Sequence, residues 1–497
     1  MKKIISIVLM IALMAPFAAC GSNEGGTDGD GRPAAENGAA DPGAPVGRWA
    51  RIDPGLPDAD FGGYGFNIVS WHVAAWGDLG GGAYDIAAEE LIGEAFNDAV
   101  FNRNKTIEDK YGININLIKM DMADINAKVR QMVAAGEDSY DLVYQRLYNA
   151  MALISSGMLH DLKEIPYLNF DMPWWDRRSV DDLSLAGRVF IGASDISTTI
   201  YDSIGCVLFN KQLAQEYALD NLYDVANRGE WTIDYMSEIC RNKARDLDGD
   251  GIIDTGDFMP FVGHDLTLSI LYIGAGNRFI AKNADDLPID AFGDERTINA
   301  CEKILEFVYD KEVFMNTDGY SNRPNFKHYI HMFEEDQSIF TVGQIFDVRR
   351  LRAKEIDFGI LPAPKYDRNQ NGYFSYISVH QSGLASVPIT ASDFDRTGIV
   401  LEALSAESRY TVLPAFYDIS LKGKYARDEE SAEMLDILFD SRVYELGAIG
   451  QFGGFEDTWL RIMNSGSRDI VSMHEKSENK IQADIDRLVK AIEENIP

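Results

Sequence analysis

Apolar positions along the chain switch between two periods, and the order of the switches predicts the fold. Residues 61–72, FGGYGFNIVSWH, read as a glycine turn into a strand, with Phe66, Ile68 and Val69 apolar. The next stretch, EELIGEAFNDAVFNRNKTIEDKYG, sets Leu91, Ala95, Ala99 and Ile107 at helical spacing and closes on Gly112, a stop signal. ININLIKM then alternates as a strand, DINAKVRQMVAAGEDS returns to helical spacing, and YDLVYQRL is a third strand. Strand, helix, strand, helix, strand predicts a parallel sheet with right-handed crossovers. Ligands of such sheets bind beyond the carboxyl ends of the strands, which places Trp71, His72 and Arg146 to Tyr148 near a cleft.

The pattern continues through the rest of the chain. VFIGASDISTTIYDSIGCVLFNKQLAQEYAL reads as a strand pair leading to a helix, and EWTIDYMSEICRNKA as a helix with Thr232 at its N-cap. RTINACEKILEFVYDKEVF is an amphipathic helix and QSIFTVGQIFDVRRLRAK a strand running into a helix. IDFGILPAPKYD is a strand ended by two prolines, a place for the chain to cross between lobes. From Ser431 onward the periodicity is mainly helical, and no internal repeat is visible.

The ends change the picture. After Met1-Lys2-Lys3 comes an apolar run from Ile4 to Ala15, too short to span a bilayer and the right length for a signal-peptide core. It ends in Phe17-Ala18-Ala19-Cys20, which looks like a bacterial lipobox, with Cys20 as the lipidated first residue of the mature chain. Ordinary secretion with cleavage nearby is the alternative. Residues 20–60 are rich in Gly, Ala, Asp, Pro and Asn and are expected to form a flexible tether. The remainder is longer than one hydrophobic core usually supports, so two or more lobes are expected. A net charge of −33 argues against nucleic acid as a partner, whose phosphates it would repel. Beyond Cys20 the cysteines are Cys206, Cys240 and Cys301; their odd number and wide spacing suit buried thiols rather than a disulfide framework.

DLDGDGIIDTGD, residues 246–257, carries the most specific chemistry. Counted from Asp246, carboxylates fall at positions one, three, five, nine and twelve (Asp246, Asp248, Asp250, Asp254, Asp257), glycine at six, and the backbone of Ile252 at seven. That is the pattern of a calcium loop, with Asp in place of the usual closing Glu. A solvated acidic turn is the alternative. With a single such loop in a large chain, the expected role is a structural clip, not a sensor.

No GxSxG elbow, HExxH, phosphate-binding loop or dinucleotide fingerprint is present. His328 and His331 are spaced to share a helix face and could bind zinc, though such pairs commonly lie on surfaces. The better lead is aromatic. Trp71, Trp76, Tyr148, Tyr201, Trp231, Phe346 and Tyr376 lie where loops leave strands or helices begin, and such rings stack on the apolar faces of sugars. Each alone also reads as core. Trp174 and Trp175 read as packing residues.

YDLV at 140–143, LFNK at 208–211, EWTIDYM at 230–236, the DLDGDG loop, FGILPAPKY at 358–366 and RDEESAEMLDIL at 427–438 occur in this order. In this series the chain resembles the family 1 extracellular solute-binding proteins of ABC importers, relatives of maltose-binding protein. The resemblance implies an α/β fold of two lobes joined by crossing segments, of the type II periplasmic-binding-protein kind, with a ligand cleft between them. It implies lobe one at 61–200 plus 362–415 and lobe two at 201–361 plus 416–497. It also implies a monomeric, non-enzymatic receptor outside the cytoplasmic membrane, held by lipid on Cys20, that delivers a sugar or oligosaccharide to permease subunits. The residues it points to for ligand are Trp71, Arg146, Tyr148, Asp195, Asp202, Trp231 and Phe346, to which the aromatic pattern adds Tyr376 and the loop at 246–257 adds calcium as a structural cofactor. An extracellular carbohydrate-active enzyme and a calcium-dependent adhesion module are the readings from other classes.

Overall fold

The computed structural model describes residues 50–72, 82–323, 326–351, 354–417 and 429–495. The signal segment, Cys20, most of the tether and Trp76 lie outside them.

Strands β1 (Tyr64–His72), β2 (Ile113–Asp121) and β3 (Leu142–Arg146) build one sheet. β4 (Gly205–Asn210), β5 (Phe261–Gly263), β8 (Phe314–Asn316), β9 (Phe340–Gln344) and β10 (Phe358–Leu361) build a second. Between them in sequence, β6 (Ile280–Lys282) and β7 (Pro288–Asp290) make a small hairpin. β11 (Ser375–Tyr376) pairs with β13 (Arg442–Val443), and β12 (Gly383–Ser386) returns to the first sheet. The first sheet has the order β12-β3-β1-β2 and the second β10-β4-β9-β5-β8. β1 runs parallel to both β2 and β3, with Ser70 beside Tyr144. β12 is antiparallel, with Gly383 opposite Arg146.

Both faces of the first sheet are covered, so β1 buries apolar side chains on each side. Phe66 and Ile68 join one cluster with Trp174, Trp175 and the helix Phe394–Tyr410. Val69 and Trp71 join a larger cluster that runs through both sheets. The tryptophan pair packs as expected, and both indoles donate to buried Glu402, at 2.9 and 2.8 Å.

The helix after β1 is shorter than its periodicity predicts. It spans Ala95–Tyr111, and Leu91 is 55% exposed outside it. Gly93 takes a left-handed φ of 76°, and the Glu94 side chain caps the helix by accepting from Asn97 N, so the chain cannot extend the helix backwards. Its far end is set by Gly112, φ 59°, where a Cβ would lie 2.1 Å from Asp60 Oδ1. The stretch before β4 also differs from the expected strand pair: residues Thr199–Asp202 form one helical turn instead. Thr232 is the N-cap of Ile233–Cys240, accepting from Tyr235 N at 3.2 Å. Residues 51–60, read as the end of the tether, run along the folded body with Phe61. Arg51 pairs with Glu407, Ile52 N donates to Tyr410 Oη, and Leu56, Ala59 and Phe61 pack against the core. Among the described residues no helix is long and apolar enough to cross a membrane.

Candidate functional site

The topology itself marks a place. From β1 the chain moves to β2 on one side, then crosses to β3 on the other, so the order reverses between the carboxyl ends of β1 and β3. Such a switch point opens a crevice where ligands of α/β sheets bind. Trp71 and His72 end β1, and Gln145 and Arg146 end β3.

Arg146 is 8% exposed, with its guanidinium 5.9 Å from the Trp71 ring centre and 5.6 Å from that of Tyr148. Its hydrogen-bonding partner is the Met122 thioether, and its Nε is buried without a partner. Burial lowers its pKa from the usual arginine value. Gln145 is 1% exposed, and both ends of its amide lack partners. Tyr148, 37% exposed, lies against the His380 ring at 5.1 Å. His380 Nε2 in turn meets Glu456 Oε1 at 2.5 Å. Glu456 stands in the first turn of the helix Phe455–Ser465, far along the chain from β3.

A second polar cluster lies nearby in the fold. Asp202 Oδ2 accepts from Tyr84 Oη at 2.7 Å and from Arg349 Nη1. Arg349 follows β9 on the helix Ile345–Leu351, whereas Tyr84 follows β1. The cluster therefore joins elements attached to the two sheets. Asp85 beside it accepts from Ser197 Oγ at 2.9 Å and Thr198 N at 2.6 Å, and burial pushes its carboxyl up to about 6. Burial raises Asp202 as well.

The other residues singled out by sequence fall in different settings. Trp71 is 1% exposed, with the backbone of Gly82 so close that a Cβ there would lie 2.6 Å from Nε1. Asp195 pairs with Arg409 at 2.9 Å and accepts from Tyr201 Oη at 3.1 Å, so both its oxygens have internal partners; burial still lifts it to about 6. Trp231 is fully buried, donates to Pro362 O at 2.9 Å and has Phe340 at 5.9 Å. Tyr376 is 1% exposed. Phe346 is half-buried at the carboxyl end of β9, where Gln344 Oε1 is also buried without a partner. His328 and His331 stand with ring centres 6.3 Å apart, and burial drops His328 to about 4. Sequence reading passed over Gln145, Tyr84, Arg349 and His380. Only Gln145 left a signal, a polar residue beside Arg146 at the end of an otherwise apolar strand.

The loop at 246–257 folds back on itself. Asp246 accepts from Gly249 N and Gly251 N, and these amides hold its carboxyl below the usual value. Carboxylate oxygens of Asp246, Asp248 and Asp250 lie within 4.8 Å of one another. Asp254 and Asp257 are outside that group. Asp254 caps Gly256 N and faces Arg323 at 3.5 Å; Asp257, buried, accepts from Leu247 N and Asp254 N. Ile252 is exposed, with its amide donating to Asp250.

No protein-family model matches the chain, and no curated protein matches it in sequence. Solved structures do match. The ABC substrate-binding protein Lmo0181 from Listeria monocytogenes, in complex with cycloalternan, aligns at TM-score 0.52 and 12% identity, over 87% of this chain and 99% of its own. The cyclic α-maltosyl-1,6-maltose binding protein from Arthrobacter globiformis aligns at 0.53 and 13%, over 85% and 99%. UgpB from Mycobacterium tuberculosis, in complex with glycerophosphocholine, aligns at 0.53 and 16%, over 79% and 96%. The chain thus shares the two-lobed α/β fold of ABC substrate-binding proteins, as the sequence resemblance implies.

Proposed function

We propose that the protein is a solute receptor for an ABC importer and captures a sugar or oligosaccharide between its two lobes without altering it. The observation that carries this reading is the set of buried, unpartnered polar atoms at strand ends of both sheets, above all the Gln145 amide and Gln344 Oε1. Unpaired buried polar groups are costly, and a hydroxyl-rich ligand would satisfy them. Solved relatives in fold with saccharides or a glycerol phosphodiester as ligands support the same class of small polar solute. Within this proposal the lobes are 61–200 plus 362–415 and 201–361 plus 416–497, Cys20 carries the lipid that holds the monomer outside the membrane, and permease subunits receive the solute. A calcium ion on Asp246, Asp248 and Asp250 clips the loop.

The test is a thermal-shift screen of the purified protein against mono- and oligosaccharides, amino acids, peptides and polyamines. Ligand at a thousand times its dissociation constant adds about 4 kcal/mol to the native state, which moves the melting point by several degrees. Saccharides that stabilise the protein and are recovered intact are the expected result. Stabilisation by another class alone, or recovery of cleaved sugar, overturns it.

A further inference from the structure

Four buried or half-buried arginines of this protein have carboxylate partners, whereas Arg103 and Arg146 do not. Arg349 meets Asp202, Arg396 meets Asp141 and Asp393, Arg409 meets Asp195, and Arg442 meets Asp176. Arg103 has no ion pair at bonding distance but donates to oxygens of Asn104, Ile86, Ile196 and Ser408. Arg146 meets a thioether and two aromatic faces, and no carboxylate within ion-pair distance among the described residues. Glu456 acts on it only at longer range and is bonded to His380.

An arginine withdrawn from water without a counter-charge destabilises the fold. It is the more unusual in a chain of 79 acidic and 46 basic residues, where carboxylates are plentiful. The position also fits an anion site: Arg146 closes β3 at the switch point, next in sequence to Gln145, whose amide is unpartnered, and 5.6 Å from the exposed Tyr148 ring. A guanidinium offers a planar fork of donors suited to a carboxylate or sulfate, and its strength grows where water is excluded.

We infer that the solute is an acidic saccharide, whose carboxylate or sulfate pairs with Arg146 while Gln145 takes a hydroxyl and Tyr148 stacks on the ring. The inference rests on the sugar-receptor reading above. The acidic surface repels such a solute at long range, so discrimination depends on the local pair and persists at high salt.

The experiment is calorimetric titration of the purified protein with matched probes: glucose and glucuronate, galactose and galacturonate, and neutral and sulfated forms of one disaccharide. The expected result is that the acidic member of a pair binds at least about ten-fold more tightly. Arg146→Gln is expected to erase that preference, bringing the acidic and neutral members of each pair within about three-fold of one another, and Arg146→Lys to restore part of it. Without ligand, Arg146→Met is expected to melt no lower than the parent, because no internal ion pair is lost. Neutral sugars binding as tightly as acidic ones would overturn the inference and leave the receptor reading standing. Binding confined to non-sugar solutes would overturn both. A fall of about five degrees or more in unliganded Arg146→Met would make the residue a structural cation and overturn the inference by itself.

Discussion

Two buried polar clusters sit near the junction of the two sheets, and they are built on opposite rules. In the first, Asp202, Arg349 and Tyr84 bond one another, with Arg349 also 5.5 Å from the Tyr84 ring. In the second, Gln145 and Arg146 are as deeply buried, yet their amide and Nε atoms meet nothing. The first cluster pairs its charges and holds elements of the two halves together, although Asp202 Oδ1 has no partner. The second is open and becomes satisfied only by something added. A fold that pairs Arg349, Arg396, Arg409 and Arg442 with carboxylates has not failed to pair Arg146 for want of acids, and the proposed solute site rests on that contrast.

The sharpest way to break the comparison is to unpair the first cluster. Asp202→Ala leaves Arg349 buried without its carboxylate, and the loss is expected to be about 3 kcal/mol in denaturant unfolding. Arg349→Met added to it should recover part of that loss, because the uncompensated charge is then gone too. Additive losses would show that the two residues do not act as a pair. Asp202 keeps Oδ1 without a partner, so Asp202→Asn is the milder form of the same test.

The next effect concerns a buried acid with uncharged donors. Glu402 receives both indoles of Trp174 and Trp175, and burial raises its carboxyl to about 7. Its folded pKa lies above the ordinary glutamate value, so the folded chain holds the proton more tightly than the unfolded one. The stability it contributes is therefore full at low pH and is lost as pH rises through about 7. Glu445 is raised to about 7 and Asp85 to about 6 by the same cause, with the same sign. The melting point is expected to fall between pH 5 and pH 8, and Glu402→Gln to remove about 2 kcal/mol of that fall. An unchanged slope in the variant would place the proton elsewhere.

The contrast between clusters also explains what the sequence could and could not show. Alternation in FGGYGFNIVSWH and ININLIKM located β1 and β2 because each strand buries a defined set of side chains against neighbours close in sequence. The Thr232 cap and the Gly112 stop were legible for the same reason: their chemistry is local. Leu91 misled, since apolar spacing ran past a backbone break at Gly93 that periodicity cannot see. The site was harder. Trp231 and Tyr376 stand at the edges of elements, as ligand-stacking aromatics do, yet both are buried. Aromatic rings serve either purpose, and only the packing of distant segments decides. Tyr84, Asp202 and Arg349 come together from widely separated parts of the chain, so no local pattern announces them. Arg146 and Tyr148 were singled out because strand ends are where parallel sheets bind.

A smaller effect sharpens the role of the acidic loop. Asp248 belongs to the trio within 4.8 Å but accepts only one loop amide, from Asp250 N at 3.0 Å. Asp248→Ala is expected to lower the melting point by a few degrees in excess calcium and to abolish the stabilisation that calcium adds, with solute affinity unchanged. Equal calcium response in parent and variant would make the loop an acidic turn. Loss of solute affinity in the folded variant would make it more than a clip.

The smallest expected change in stability is the most telling for the open cluster. Gln145→Leu keeps the volume of the side chain and removes two buried polar atoms that have no partners. If the amide exists for the fold, the substitution exposes a lost bond and costs stability. If it exists for a solute, the unliganded protein is unchanged or gains about 1 kcal/mol, since an unsatisfied group has been replaced by an apolar one. The second outcome is expected, together with about ten-fold weaker binding of whichever saccharide the parent takes. The two readouts move in opposite directions only when the residue is held ready for a ligand, and a matched fall in both would return Gln145 to the core.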